Sequence, residues 1–351
     1  MTLLLKNQTA DQLHAALADL APPLRVTRQL HAAALRRAAD ELPTSLPSTS
    51  PRLLERIRER VAIPRLEQVD RQESSTDQFV KYVFRGFGAG EFEAVRIPLL
   101  HRPDDPKYVV CVSSQVGCAL ACAFCATGRL GFRRNLAPWE IVDQVVQIQA
   151  ESPHPVRGVV FMGMGEPMLN YDSVVTAAKI FSEPCGLAIA AKSLTISTAG
   201  VVPGIRRFTA ERLPYRLIVS LSSAISERRV ELLPIERAYP LPELIDSLHE
   251  YHAATKRRIT LAWTVMAGVN DTREEARALA ALTRGLPILI DLIDVNDDTG
   301  RFRRATDAEL ARFRDVLREE VGVPVQRRYS GGQDIAGACG MLAARVATST
   351  S

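Results

Sequence analysis

Hydrophobic and polar residues change their spacing along this 351-residue chain. In residues 1–70 apolar side chains recur at helical intervals, as in TADQLHAALADLA and VTRQLHAAALRRAADEL, with a stretch rich in Pro, Ser and Thr at 42–51. From about residue 71 the period becomes two, because QFVKYVFRGF and EFEAVRIPLL alternate like strands around the Gly-rich GFGAGE. The pattern predicts a helical accessory domain over 1–70 and a β-hairpin extension over 71–104.

Short apolar runs then alternate with helical segments over residues 105–345. The runs that predict strands lie at 108–114, 158–164, 193–198, 216–222, 260–268, 286–295 and 323–330. Strand and helix in alternation favour right-handed βαβ units and therefore a parallel sheet or barrel. Six or seven strands are too few for a closed eight-stranded barrel. We predict an α/β fold, a partial (β/α)6 barrel open on one side, followed by a flexible tail at 346–351.

Composition narrows the class of protein. A hydrophobic content of 46% is ample for a core, while no apolar run approaches the roughly 18 residues of a membrane helix. The N-terminal MTLLLKNQTADQ has too short an apolar run for a secretory signal. Six unevenly spaced cysteines do not indicate a disulfide scaffold. These features predict a cytoplasmic protein without a membrane partner.

The formal net charge of +4 is only mildly basic, which is compatible with nucleic acid but does not require it. Basic residues occur in groups at 133–134, 206–207, 256–258, 301–304 and 327–328. Such groups are more often solvated surface than ligand contacts, although several adjoin predicted strand ends. The arginines of the N-terminal helices suit either RNA binding or packing of that domain on the barrel, and the sequence does not separate the two.

Three cysteines, Cys118, Cys122 and Cys125, form the pattern C-x3-C-x2-C directly after the first predicted barrel strand. Thiolates are the usual ligands of iron–sulfur clusters, and a 4Fe–4S cluster normally takes four. Three thiolates leave one iron open to a substrate or cofactor. A zinc site would need a fourth ligand, and no second C-x2-C or H-x3-H pair follows. The motif therefore favours an open 4Fe–4S cluster, with Phe124 shielding its edge.

Glycine and polar residues occur where several predicted strands end. GMGEP at 163–167 places a glycine turn beside Glu166, whose carboxylate could accept from an ammonium group. Ser197, Ser220 and Ser222 mark the ends of the next two strands, and Asn296 follows a later one. Because the chemistry of such barrels lies at the C-terminal ends of strands, these residues predict one shared site with the cysteine loop.

Taken together, these motifs resemble a known family. C-x3-C-x2-C with an aromatic residue before the last cysteine resembles the radical SAM superfamily. The longer strings CVSSQVGCALACAFCATG, FMGMGEPMLN and DIAGACGML resemble the RlmN/Cfr family of RNA adenine methyltransferases, from about Glu93 to Leu342. The resemblance implies the partial barrel, a 4Fe–4S cluster on the three cysteines and S-adenosylmethionine as cofactor. It places the cofactor contacts at Gly165, Glu166, Ser197, Ser220, Leu221, Ser222 and Asn296.

The resemblance also implies a mechanism that uses two further cysteines. One S-adenosylmethionine methylates Cys339, and a second yields a radical that takes hydrogen from the S-methyl group. The carbon radical adds to an adenine carbon, Glu93 removes the ring proton, and Cys111 releases the product by forming a disulfide with Cys339. Without the resemblance, the two cysteines would be interpreted as small buried hydrophobic residues and Glu93 as a half-exposed strand carboxylate.

The chain departs from the family pattern in three places. Ser222 stands where the family usually has His, DVND surrounds Asn296 where PWN is usual, and the N-terminal domain lacks an aromatic-rich helix. We expect methylation of adenine carbon 2 in 23S ribosomal RNA, with transfer RNA as a further substrate and an electron donor such as flavodoxin. Carbon 8 is the close alternative. A radical enzyme acting on a peptide or small molecule, and a non-catalytic iron–sulfur or zinc RNA-binding protein, are the more distant ones.

Overall fold

A computed structural model describes residues 2–99 and 106–342, and the tail predicted at 346–351 lies outside these ranges. The strands within them are β1 (Leu3–Leu4), β2 (Val61–Ala62), β3 (Glu67–Glu73), β4 (Val80–Arg85), β5 (Glu91–Leu99), β6 (Lys107–Cys111), β7 (Gln115–Gly117), β8 (Phe132–Asn135), β9 (Val156–Phe161), β10 (Leu194–Thr198), β11 (Arg216–Ser220), β12 (Ile259–Val265), β13 (Ile288–Asp294) and β14 (Val325–Arg328). The helices are α1 (Ala10–Ala16), α2 (Leu24–Arg36), α3 (Pro51–Arg58), α4 (Ala126–Arg129), α5 (Pro138–Glu151), α6 (Tyr171–Ser182), α7 (Val202–Ala210), α8 (Ser226–Leu232), α9 (Leu241–Thr255), α10 (Arg273–Leu282) and α11 (Asp307–Val321). None of the helices in the described ranges combines the length and the apolar character that a membrane crossing requires.

A ten-stranded sheet organises the structure, in the order β14-β13-β12-β11-β10-β9-β6-β5-β4-β3. The part from β6 to β14 is parallel, and each strand is joined to the next by at least one helix. Its strands coincide with the apolar runs that predicted them. β5, β4 and β3 continue the sheet in antiparallel pairs. The predicted α/β class and the hairpin across GFGAGE are therefore confirmed.

The sheet curls so that distant strands approach each other. Arg328 at the end of β14 reaches Met162, just after β9, with Nη1 and Sδ 3.0 Å apart, although four strands lie between β14 and β9. Beyond β14, the Tyr329 hydroxyl donates to Asp77 Oδ2 at 3.0 Å, in the turn before β4. The parallel strands therefore enclose an interior, like a barrel, with their C-terminal ends at one mouth.

Two-sided burial explains why the parallel strands were visible in the sequence. All five residues of β10 are buried. Strand β13 has a single half-buried residue, Leu289, and its other residues are buried. Helices cover one face of such a sheet and the barrel interior covers the other, so apolar residues occupy consecutive positions instead of alternating ones.

The edge strand β3 was missed by the sequence pattern. Its residues, EQVDRQE, are almost all exposed, so they show neither a continuous apolar run nor alternation. The strand begins at Glu67, inside the range predicted to be helical. Polar side chains at a sheet edge discourage pairing with other chains, which accounts for a strand of this composition.

The N-terminal helices form a core of their own, centred on Leu13, Leu30 and Ile57. Their attachment to the barrel is both apolar and polar, because Leu35 on α2 packs in the barrel core and Lys6 Nζ donates to Asp143 on α5 at 2.5 Å. Burial lowers the pKa of Lys6, while the Asp143 carboxylate opposes that shift. These contacts support the packing interpretation of this domain, and RNA binding by its arginines stays a prediction.

Candidate active site

The three motif cysteines lie in the loop between β6 and α4. Cys118 follows β7 and Cys125 directly precedes α4, so secondary structure fixes the loop at both ends. Ala126 N–H donates to the Gly340 carbonyl at 2.7 Å, which joins the loop to the C-terminal segment. Cys118, Cys122 and Cys125 all line one cleft, of about 890 Å³ including its open mouth. Residues from the C-terminal ends of the barrel strands form the opposite wall.

The chemistry of these thiols fits a cationic centre. Burial raises the pKa of the Cys118 thiol to about 12, and nearby Glu166 and Cys125 act in the same direction. Burial also raises the pKa of Cys122 well above its ordinary value. A bound metal reverses this preference, since it deprotonates the thiols that coordinate it. Within the described ranges, no three His, Cys, Asp or Glu side chains are grouped as ligands of a single ion. The three thiols nevertheless line the same cleft, and a cluster held by them stays a prediction.

The GMGEP turn after β9 brings Gly165 and Glu166 to the same cleft. Gly165 has a φ of +99°, and a Cβ there would lie 2.5 Å from the Gln115 side chain, so the turn requires glycine. The buried Glu166 carboxylate accepts backbone N–H groups from Ala199 at 2.8 Å and Met168 at 3.0 Å. Burial raises the pKa of Glu166 to about 7, against the effect of those hydrogen bonds. Its oxygens keep further lone pairs, so the carboxyl group is a fixed acceptor for an ammonium ligand.

The structure separates the predicted serines. Ser197 on β10 and Ser220 at the end of β11 line the cleft. Ser222 is fully buried, and its Oγ accepts from the Thr264 N–H at 3.3 Å while its carbonyl accepts from the Asn270 side chain at 2.6 Å. The cofactor contacts predicted at Ser197 and Ser220 thus have a geometric basis, whereas Ser222 holds the turn after β11.

Leu221 and Asn296 are also absent from the described residues that line the cleft. Leu221 is fully buried, and its carbonyl accepts from Arg229 Nε at 3.3 Å. The Asn296 side-chain amide donates to the Cys339 carbonyl at 3.1 Å and to the Ser330 hydroxyl at 3.0 Å. Asn296 therefore positions the Cys339 loop, and its predicted contact with the cofactor stays a prediction.

The two remaining cysteines meet at a second, smaller cavity. Cys111, the last residue of β6, is buried, and Cys339 lies in the loop after β14. Both line an apolar cavity of about 530 Å³ including its mouth, together with Val95 and Val160. Cys339 also lines the cluster cleft, so it stands on the wall between the two cavities. The fold thus brings together two cysteines that are far apart in the sequence.

Arg328 acts electrostatically on both of these cysteines. Burial raises the pKa of the Cys111 thiol to about 12, the nearby Cys339 thiol raises it further, and the Arg328 guanidinium lowers it. Cys339 is exposed as a residue, but its thiol group is buried. Burial raises the pKa of this thiol, and the Arg328 guanidinium lowers it. Arg328 lines the cavity of the two cysteines and forms no ion pair with any residue that the structure describes. The positive charge of Arg328 therefore favours the thiolate form of both cysteines in this cavity.

Glu93 shares the inner face of the sheet with Cys111. Val95 on β5 pairs with Cys111 on β6, and Glu93, two residues earlier, points to the same face by the period of the strand. The Glu93 side chain is 4% exposed, and its Oε1 lies 3.2 Å from Lys81 Nζ on β4. The predicted base and Cys111 therefore belong to one face of the barrel interior.

Known proteins share this arrangement of motifs. Residues 112–281 match the family model described as the Radical SAM superfamily. The chain is 48% identical to a probable RNA methyltransferase of Myxococcus xanthus, over 97% of this chain and 94% of that protein. It is 41% identical to the dual-specificity RNA methyltransferase RlmN of Syntrophobacter fumaroxidans, over 78% of this chain and 79% of that protein. The chain belongs to the RlmN-type family of radical SAM RNA methyltransferases.

A solved structure of a radical SAM methyltransferase shares the fold over nearly the whole chain. The crystal structure of a radical SAM methyltransferase from Sphaerobacter thermophilus has a TM-score of 0.87 and 35% identity, covering 97% of this chain and 99% of that one. Membership of the radical SAM superfamily implies a 4Fe–4S cluster and S-adenosylmethionine. The three motif thiols and the GMGEP turn line one cleft, and their role in holding these two groups stays a prediction.

Several residues of this RlmN-type site were not singled out from the sequence. Met162 and Thr264 line the cleft. Thr264 carries a hydroxyl group near the C-terminal end of β12, the same kind of position that predicted Ser197 and Ser220 on their strands. Arg328 was noted only as one of a basic pair. Lys81 interrupts the apolar run QFVKYVF, and a charge inside such a run is the signal that could have identified it.

Six of the twelve grouped basic residues of this RlmN-type chain form ion pairs within the described ranges. Side-chain ion pairs join Arg134 to Glu140, Arg206 to Glu250, Arg207 to Asp172, Arg303 to Glu309, Arg304 to Asp294 and Arg327 to Asp294. Charge reversal at such positions would therefore break internal contacts as well as contacts with RNA. Arg133, on β8 beside the cluster loop, makes no ion pair within the described ranges, so it is better placed for a phosphate contact.

Proposed function

We propose that this protein methylates carbon 2 of an adenine in RNA, with the methyl group carried first on Cys339. The position of Cys339 between the two cavities is the observation that carries this proposal. On one side lie the cysteines that would hold the cluster, and on the other lies Cys111, near Glu93. The name of the relative from Syntrophobacter fumaroxidans, a dual-specificity RNA methyltransferase, supports an RNA substrate and is compatible with two classes of RNA.

The cluster cleft would prepare the reaction. Its three cysteines hold the 4Fe–4S cluster and leave one iron for S-adenosylmethionine. When bound, the cluster supplies the electron that cleaves S-adenosylmethionine and so provides the radical for hydrogen abstraction. The turn at Gly165 lets the backbone approach the cofactor, and Glu166 accepts from its amino group. Ser197 and Ser220 offer hydroxyl groups to its ribose or carboxylate.

The residues beyond the cleft would divide the later steps. Cys339 carries the methyl group, and its methylene carbon becomes bonded to the adenine ring. Addition leaves an unpaired electron on the ring, so the ring becomes aromatic again only when the Glu93 carboxylate takes the ring proton and one electron leaves the ring, for which the 4Fe–4S cluster would be the acceptor. The Cys111 thiolate attacks the Cys339 sulfur, the S–C bond breaks, and its electron pair stays on the carbon, which takes a proton to become methyl. An external dithiol must then reduce the disulfide.

The partners in this proposal follow from the chemistry. 23S ribosomal RNA is the first substrate and transfer RNA the second. A low-potential electron donor such as flavodoxin reduces the cluster. A reducing cytoplasm suits both the cluster and the regeneration of the two thiols.

Nucleoside mass spectrometry tests the proposed function. Anaerobically reconstituted protein is incubated with S-adenosylmethionine, a reductant and either 23S RNA or transfer RNA from a strain that lacks the protein. We expect 2-methyladenosine after digestion with the wild-type protein and none with Cys339→Ala. 8-Methyladenosine instead would contradict carbon 2 but keep RNA methylation. Cleavage of S-adenosylmethionine without any methylated nucleoside would favour a peptide or small-molecule substrate.

A further inference from the structure

Buried ion pairs in the described part of the chain differ in how completely they are hydrogen-bonded. Three of them have both side chains at most 5% exposed: Lys6–Asp143, Arg229–Glu236 and Lys81–Glu93. In the first pair, Lys6 Nζ also donates to the Pro64 carbonyl at 3.1 Å. In the second pair, Arg229 Nη2 also donates to the Ala199 carbonyl at 2.7 Å. These two pairs are complete structural contacts.

The ammonium group of Lys81 lacks this support. Lys81 Nζ lies 3.2 Å from Glu93 Oε1, but the geometry falls short of a hydrogen bond. Lys81 Nζ is fully buried and has no hydrogen-bond partner among the residues that the structure describes. Removing an ammonium group from water is strongly unfavourable unless it is both paired and hydrogen-bonded. A packed apolar side chain would stabilise this position better, so stability alone does not explain Lys81.

The register of the sheet places Lys81 next to the reacting groups. Lys81 on β4 is opposite Val95 on β5, and Val95 is opposite Cys111 on β6, all on the inner face. Neighbouring strands are about 4.8 Å apart, so Lys81 and Cys111 flank β5 at short range. Glu93 lies on β5 between them, nearer the mouth of the barrel. Lys81 therefore contacts Glu93 from the side away from Cys111.

We propose that Lys81 is a positioning residue for Glu93, which it holds ionised and aimed at the ring proton. An ammonium group at this distance favours the carboxylate, the form that can accept a proton. The proton moves from the adenine carbon to a Glu93 oxygen, while Lys81 touches neither cofactor nor RNA. This inference rests on the proposed function, and specifically on Glu93 as the base.

The test follows the covalent protein–RNA adduct through a single turnover. Wild-type, Lys81→Met, Lys81→Arg and Lys6→Met proteins carrying the cluster are mixed with RNA that has hydrogen or deuterium at adenine carbon 2. Denaturing gels measure how fast the adduct forms and how fast it disappears. Lys81→Met removes the charge but keeps the chain length, and Lys81→Arg keeps the charge. Lys6→Met breaks the other buried lysine pair, in the N-terminal domain, and is the matched control.

We expect Lys81→Met to form the adduct at the wild-type rate and to resolve it at least about tenfold more slowly. Its resolution should show a deuterium isotope effect, because proton removal then limits this step. Lys81→Arg should recover much of the rate. Lys6→Met should lower the melting temperature and leave the resolution of the adduct unchanged.

Resolution at the wild-type rate in Lys81→Met would overturn the inference and leave the proposed function intact. Equal slowing in Lys81→Met and Lys81→Arg without an isotope effect would also overturn it, since that result indicates packing. If Lys81→Met does not fold, Lys81→Gln provides the same neutral test. A wild-type protein that gives neither adduct nor methylated adenine would instead refute the proposed function itself.

Discussion

The two cavities that meet at Cys339 are built from different side chains. The cluster cleft carries thiols, hydroxyl groups and the buried Glu166 carboxyl. The cavity beside Cys111 has apolar walls and Arg328 as its cation, with walls contributed by Phe79, Val95, Ile97 and Val160. Apolar side chains line much of both cavities, but the carboxyl and hydroxyl groups of the cleft suit a charged cofactor, whereas the aliphatic side chains around Cys111 exclude water from its thiol.

This difference separates the start of the proposed reaction from its end. In the cleft, backbone N–H groups already hold both oxygens of Glu166, so its wall needs no rearrangement when a ligand binds. In the apolar cavity, burial raises the pKa of Cys111 to about 12 and keeps its thiol protonated. A protonated thiol is a poor nucleophile, so Cys111 would have to lose its proton before it attacks the Cys339 sulfur in the proposed reaction.

The largest expected effect comes from removing one of the proposed cluster ligands in the cleft. Cys122→Ala leaves two thiols of the motif, too few to hold a 4Fe–4S cluster. We expect loss of bound iron, of S-adenosylmethionine cleavage and of RNA methylation. Iron and sulfide analysis of anaerobically prepared protein, with its visible absorption spectrum, measures the cluster.

Cys185→Ala is the matched control for the cluster variant. Cys185 is half-buried after α6 and lines neither cavity. This variant should keep its full iron content and activity. Stoichiometric zinc without iron in the anaerobic wild-type protein would refute the cluster and the contrast drawn between the cavities.

The next largest effect should come from Cys339, which lines both cavities, and from Cys111, which lines only the smaller one. Cys339→Ala should keep the cluster and transfer nothing, because the methyl carrier is gone. Cys111→Ala should still form the carbon–carbon bond and then stop at a protein–RNA adduct. Denaturing gels detect the adduct, mass spectrometry should locate it at Cys339, and the double variant should form none.

Glu93→Ala should also accumulate the adduct, because the ring cannot become aromatic again without losing its proton. If Cys111→Ala turned over normally without an adduct, Cys111 would be a packed strand residue. The methyl-cysteine route would then have to be abandoned for this chain.

The cluster cleft was largely predictable because its signals are local. Cys118, Cys122 and Cys125 lie within eight residues, and the strands that support them, such as β10, read as continuous apolar runs. Ser222 shows the limit of this reasoning. It follows β11 as expected, but its φ of +56° and its contact with Thr264 hold it in the turn. Local spacing does not reveal such a backbone conformation.

The cavity beside Cys111 was less predictable because it depends on the curl of the whole sheet. Val95 comes from β5 and Arg328 from β14, and nothing in their local spacing brings them together. Only the family resemblance paired Cys111 with Cys339. Lys81 was missed for a different reason, since its contact with Glu93 depends on the register of the β4–β5 hairpin, which the apolar pattern of neither strand reveals.

A smaller effect should distinguish the two serines that were predicted alike. Ser197→Ala removes a hydroxyl from the cleft, so we expect S-adenosylmethionine to bind several-fold more weakly at an unchanged melting temperature. Ser222→Ala loses the hydrogen bond from the Thr264 N–H, which should destabilise the fold by about 1 kcal/mol with little effect on binding. Equilibrium dialysis and thermal melting measure the two effects. Weaker binding in Ser222→Ala at full stability would show that Ser222 contacts the cofactor after all.

The smallest effect concerns the cation of the apolar cavity. Arg328→Met removes the charge that lowers the pKa of Cys111, so less thiolate is present at any pH below about 12. Adduct resolution should therefore speed up with rising pH in both proteins, by about tenfold per pH unit, because the thiol is mostly protonated throughout. The rate of adduct resolution in Arg328→Met should rise with pH as steeply as in the wild type, and at each pH it should be about three- to tenfold lower. Arg327→Met is the control, since Arg327 pairs with Asp294 at 2.9 Å and Asp307 at 2.8 Å and does not line the cavity. Superimposable pH profiles for Arg328→Met and wild type would show that Arg328 does not act on Cys111, and the apolar cavity would then work by exclusion of water alone.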